Sequence, residues 1–209
     1  MNLTASLVLR QSTQQAHQRL DQESAMQQLM GQDLTPRTYQ QILQHLHGCY
    51  LTIEDRFARW FWAGNRGPGE WLTPGVFHRT RLIEQDLLEL QQLGAGVSEP
   101  VRGPEDGSLP VFTRRAEILG MAYVICGSLL GARLIQARLA QTLGPDYASA
   151  LTFFRAAMLP GMPSWSAVRK SLDTELADPK DLEDAVTAAR HTFAHFESWL
   201  TVPVAPCMA

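Results

Sequence analysis

Cysteine is scarce in this chain. Cys49, Cys126 and Cys207 are scattered and form no C-x-x-C pair. An odd, dispersed set of three is a poor disulfide framework and a poor zinc site. It predicts a reducing compartment, the cytoplasm. Positive charge is also short. Lys and Arg number 18 against 21 Asp and Glu, a net charge of −3. That balance argues against a nucleic-acid partner. The opening stretch MNLTASLVLRQSTQQAH lacks a basic region followed by a long apolar one, so no signal peptide is expected. Long hydrophobic runs are missing as well. The longest, Ile118 to Ala132, holds one polar side chain, Ser128, and is bracketed by Arg115 and Arg133. A bilayer span needs roughly 20 apolar residues. The run therefore predicts a buried helix in a soluble core and no membrane partner. Neither G-x-G-x-x-G nor a P-loop occurs, so no nucleotide or flavin site is expected.

What is present is helical periodicity. With 209 residues and 45% hydrophobic content, the chain can bury one sizeable core. The pattern predicts a first helix over 3–30 with Leu9, Ala16 and Leu20 on one side. Thr35-Pro36 is a start signal, an N-cap followed by a first-turn proline. Beyond it, Tyr39, Ile42, Leu43, Leu46, Cys49, Tyr50, Ile53 and Phe57 follow amphipathic helical spacing. Further helices are predicted over 76–93 and 111–143. Another begins near Asp146, is interrupted by Pro160-Gly161-Met162-Pro163, and resumes from Ser164 to about Ala177. A last one is capped by Asp178-Pro179 and reaches Leu200. Gly- and Pro-rich loops fall at 64–75 and 94–110. No strand-like alternation persists. The expectation is a single all-α domain over 1–201 with a loose tail at 202–209.

Two helices carry residues with chemical potential. In the first, Arg10, Gln14, His17 and Asp21 share one face. His17 is a candidate metal ligand. A carboxylate four residues on could accept its other ring N–H and fix the tautomer. Arg10 could pair with a ligand carboxylate. The same face also suits a plain solvated surface. In the long helix, Gly120, Gly127 and Gly131 share a face, although glycine inside a helix costs roughly 1 kcal/mol relative to alanine. Either a flat ligand or a neighbouring helix approaches closely there. His45 and His47 fall on different faces and read as surface residues, and His191 with His195 have a spacing that can bind metal but no completed H-E-x-x-H motif. Cys126 reads as a packed thiol.

Taken together, the blocks LRQSTQQAHQRLD (Leu9–Asp21), YVICGSLLGARLI (Tyr123–Ile135), FFRAAMLPGMPSWSAV (Phe153–Val168) and TFAHFESWL resemble, in order, those of the haem (heme) oxygenase family, especially its bacteriophytochrome-associated branch. The resemblance implies a helical bundle with haem b between a proximal and a distal helix. It implies His17 as the iron ligand, Asp21 as its orienting carboxylate, and Arg10 and Arg155 as propionate contacts. It makes Tyr123 a pocket tyrosine and Gly127 and Gly131 the distal glycines, with Ser128 beside them in the catalytic water network. The implied reaction cleaves haem with O2 to biliverdin, carbon monoxide and ferrous iron. Electrons would come from an external reductase or ferredoxin, and a bacteriophytochrome would receive the product. The chain departs from the branch at Cys126, where glutamate is usual, and at Ala132, where a second glycine is common. Those departures leave a non-enzymatic haem carrier as the alternative. A thiaminase-type relative would need an active-site cysteine or acid cluster that the sequence does not assemble.

Overall fold

A computed structural model describes residues 3–65, 72, 78–96, 101, 103, 109–158 and 162–201. Helices α1 (Ala5–Glu23), α2 (Ala25–Gln28), α3 (Pro36–Trp62), α4 (Thr80–Gln92), α5 (Arg115–Leu143), α6 (Thr152–Arg155), α7 (Trp165–Glu175) and α8 (Pro179–Leu200) follow in order. Two 3-10 turns, Pro145–Ala150 and Ala156–Met158, flank α6. No strand occurs among the described residues. The expected tail, Cys207, and Pro160-Gly161 lie outside them.

Local chemistry sets most boundaries. The Thr35 hydroxyl accepts the Thr38 amide at 3.1 Å, with Pro36 in the first turn, as expected for α3. Asp178 caps α8 in the same way by accepting Lys180 and Asp181 amides. The first helix is shorter than the 3–30 expected. Ser24 leaves helical geometry, its hydroxyl donates to the Leu20 carbonyl, and it accepts the Met26 amide that opens α2. A serine bonding its own backbone competes with helix continuation. The third predicted helix begins only at Thr80, because Glu54 reaches from α3 to accept the Arg79 and Thr80 amides and the Thr80 hydroxyl. The segment after Asp146 is two 3-10 turns around a short helix rather than one helix.

Every apolar position predicted for α3 is buried. Each leucine, isoleucine or phenylalanine among them contributes about 1.5–3 kcal/mol through burial. His45, expected at the surface, is only 6% exposed, because it falls on that same inward stripe. His195 is buried too and bonds the Cys49 carbonyl at 3.0 Å.

The packing of α8 shapes everything else. It packs most extensively on α5 and next on α1, whereas α1 and α5 make little contact with each other. Two helices laid on a third leave a wedge between them. α7 closes part of that wedge by touching both. By length and composition α5 could cross a bilayer. Part of that apolarity is used inside the protein. Residues 118–126 are all buried, and the following half turns toward the wedge.

Candidate functional site

The wedge between α1 and α5 holds a cavity of about 1070 Å³, at the top of the roughly 300–1,000 Å³ range of small-molecule sites. Its floor is aromatic and apolar, with Phe193 and Phe196 from α8, Phe153 and Phe154 from α6, and Leu46 and Tyr50 from α3. Asp86 holds α6 in place by accepting the Thr152 amide at 2.7 Å and the Phe153 amide at 2.8 Å. Burial raises the Asp86 carboxyl, and those amide bonds pull it back down.

Arg10, Gln14, His17 and Asp21 all line the α1 side. The shared face expected from spacing is therefore a cavity wall. His17 Nδ1 lies 2.9 Å from an Asp21 carboxylate oxygen, and the ring packs 6.0 Å from that of Phe193. Two contacts thus hold the imidazole plane. Nε2 has no partner among the described residues and is the available donor atom. No cluster of three or more His, Cys, Asp or Glu able to hold a metal occurs among the described residues. A single histidine cannot retain a bare ion against water. It suits an iron whose remaining ligands arrive with a macrocycle.

The α5 wall faces it. Gly127, Ser128 and Gly131 all line the cavity. A side chain at Gly131 would meet open space, and one at Gly127 would touch only the Trp165 ring at 3.7 Å. Nothing in the folded chain requires glycine at Gly131, whereas a flat ligand would. Gly120 differs: a Cβ there would collide with the Ala185 backbone of α8. The glycine stripe therefore serves both purposes, helix packing at one end and a ligand surface at the other. Leu130 and Leu134 are 56% and 64% exposed at this wall, apolar surface that a ligand would cover. Tyr123 lines the cavity beside Trp165, 5.7 Å between rings, and its phenol is raised by burial, opposed by a bond with Thr13 and by Arg10. Ser128 donates to the Ile125 carbonyl at 2.8 Å. Cys126 is a packed thiol, pushed up to about 12 by burial, and is not part of the wall.

A sequence model of the heme oxygenase family matches residues 3–202. The chain belongs to the haem oxygenase family. A curated heme oxygenase from Xanthomonas campestris pv. campestris (strain 8004) is 29% identical over 185 residues, 87% of this chain and 100% of that one. The heme oxygenase structure from Leptospira interrogans superposes with a TM-score of 0.72 at 15% identity, over 95% of this chain and 99% of that chain. Heme oxygenase-1 from the cyanobacterium Synechocystis sp. PCC6803, solved in complex with heme, gives 0.65 at 15% identity, over 94% and 91%. These two share the haem oxygenase fold.

One expected site residue does not join the others. Arg155 is exposed, donates to the Ala148 carbonyl at 2.7 Å, and is no part of the wall. The cause is helical phase. Phe153 and Phe154 turn inward, and the next residue, rotated a further 100°, turns out. Arg169 on α7 lines the cavity in its stead. Sequence reasoning also missed Tyr50, Trp165 and Arg79 as wall residues. Trp165 and Arg169 stand four apart on one face of α7, a signal that spacing carried. Arg79 precedes its helix and carried none.

Proposed function

We propose that this member of the haem oxygenase family binds haem b through His17 and cleaves it oxidatively to biliverdin, carbon monoxide and ferrous iron. The observation that carries this reading is the Asp21-held imidazole facing a glycine wall across an apolar cavity. When bound, haem supplies the iron that activates O2 and the ring that is consumed. The remaining work falls to side chains. Asp21 accepts the Nδ1 proton, which fixes the tautomer and leaves Nε2 with its lone pair. Gly127 and Gly131 keep side-chain bulk off the opposite face. The exposed guanidinium groups of Arg10 and Arg169 stand in the wall to pair with propionates. Phe193 and Phe196 exclude water from the floor. Ser128 offers a hydroxyl for proton delivery on the α5 side.

O2 and electrons come from outside. We assign the electron supply to a separate reductase or ferredoxin, since the chain carries no flavin or nucleotide motif. The α1 and α5 blocks favour the bacteriophytochrome-associated branch, with a bacteriophytochrome as product acceptor. The cytoplasm is the expected compartment, in keeping with the free, buried Cys49 and Cys126.

The test is to mix the purified protein with haemin, add reductant in air, and follow the visible spectrum. The expected result is a histidine-type Soret band that decays into a red-absorbing biliverdin spectrum. A stable band would leave a haem carrier, and no band would overturn both haem and His17.

A further inference from the structure

Arg79 has no evident role in holding haem, and its situation is costly. The residue is 3% exposed. Its Nε and Nη2 are buried without a hydrogen-bond partner. Glu54, the carboxylate bonded to its own backbone amide, is already engaged by the Arg79 and Thr80 amides and the Thr80 hydroxyl. An arginine stays charged across the physiological range. A buried charge without an acceptor is strongly unfavourable, so an acceptor must come from elsewhere. Arg79 belongs to the cavity wall, so an acceptor reaches it from that side once the head group turns.

The geometry of the vacant donors narrows the acceptor. Nε and Nη2 form the side-on edge of a guanidinium, two parallel N–H groups matched to the two oxygens of a planar oxyanion. The surroundings add hydroxyls. Tyr50 and Ser128 line the same cavity. The Arg79 charge is felt at both the Tyr50 phenol and the Cys126 thiol. One cation with no carboxylate paired to it calls for one negative charge.

We propose that this inner wall is a binding site for a small monovalent oxyanion of the formate or bicarbonate type, gripped side-on by Arg79 with the Tyr50 and Ser128 hydroxyls beside it. The long arginine stem lets the head group turn toward an occupant entering through the cavity. The site needs no haem, so it stands or falls separately from the proposed reaction.

The experiment uses the haem-free protein and sodium formate, exchanged against sodium chloride at constant ionic strength. In the wild type the thermal midpoint should rise and saturate with formate. Arg79→Lys keeps the charge but loses the fork, and should weaken formate binding about tenfold or more. An Arg10→Met, Arg169→Met double variant should keep the wild-type response. No rise in the wild type would mean that buried water alone serves the fork, and would overturn the site. So would an undiminished rise in Arg79→Lys, or loss of the rise in the double variant. Should the lysine variant fail to fold, calorimetric titration of the wild type and of Tyr50→Phe decides the matter. Saturable heat weakened several-fold by Tyr50→Phe supports the site, and heat without saturation overturns it.

Discussion

Asp21 governs what His17 can do. With Nδ1 tied 2.9 Å from the carboxylate, the ring is held in one tautomer, although both side chains are about 60% exposed. His17→Ala should abolish the histidine-type Soret band on haemin titration. Asp21→Asn should keep the band, since an amide oxygen still accepts the Nδ1 proton, but slow its decay when reductant is added in air. The two cavity glycines permit a sharper test. Gly131→Ala should stabilise the haem-free protein by up to about 1 kcal/mol, because alanine suits a helix better than glycine and its Cβ meets only open space. The same change should weaken haem binding. Urea unfolding of the haem-free protein and haemin titration should therefore move in opposite directions. If both were unchanged, the glycine wall would not be the ligand surface. Arg169→Met should weaken haem binding a few-fold while Arg155→Met leaves it untouched, as their positions inside and outside the wall require.

Among the elements, α3 and α8 were the most legible. Each has a polar N-cap with proline in the first turn, and each has an apolar stripe that periodicity exposes. α5 was half legible. Its glycine spacing announced a close approach, but only packing reveals that Gly120 meets α8 while Gly127 and Gly131 meet the cavity. The break at Ser24 was hidden because apolar periodicity runs through it, and a local hydroxyl bond decided the outcome. Arg79 and Arg169 were hidden for a different reason. They reach the cavity through tertiary packing, from elements far along the chain from α1. α3 also carries a testable acid sensitivity. Burial lowers the His45 pKa, with a smaller opposing bond to the Trp199 backbone. The unfolded chain therefore binds a proton at His45 that the folded chain resists. Stability from this group is full above the ordinary histidine value of about 6.5 and declines as pH falls through it. His45→Gln should flatten that decline in urea midpoints measured below neutral pH, and an unchanged slope would refute it.

At the scale of the whole molecule, the site exists only when distant parts of the chain are assembled. α1 supplies the proposed ligand, α5 the opposing wall, and α8, with α3 and α6, the floor between them. An unfolded chain retains His17 but neither wall, so haem should bind the folded state almost alone. Binding then adds to stability by mass action. Free haem at a hundred times its dissociation constant contributes about 2.7 kcal/mol, and a domain of this size gains roughly 2–4 °C per kcal/mol, a rise of about 5–11 °C in Tm. The measurement is thermal unfolding with and without haemin, in the absence of reductant so that the ring is not consumed. Two variants separate specific binding from haem adsorbed on exposed apolar surface such as Leu130 and Leu134. His17→Ala removes the proposed iron ligand while leaving walls and floor in place, and should lose most of the rise. Gly120→Ala drives a Cβ into the Ala185 backbone and should cost the haem-free protein about 1–3 kcal/mol as an overpacked contact. It should also loosen the α5–α8 interface that sets the width of the wedge, so the haem-induced rise should shrink although no atom of the site has changed. A full rise in His17→Ala would place haem outside the wedge. A full rise in Gly120→Ala would show that the wall positions itself without α8.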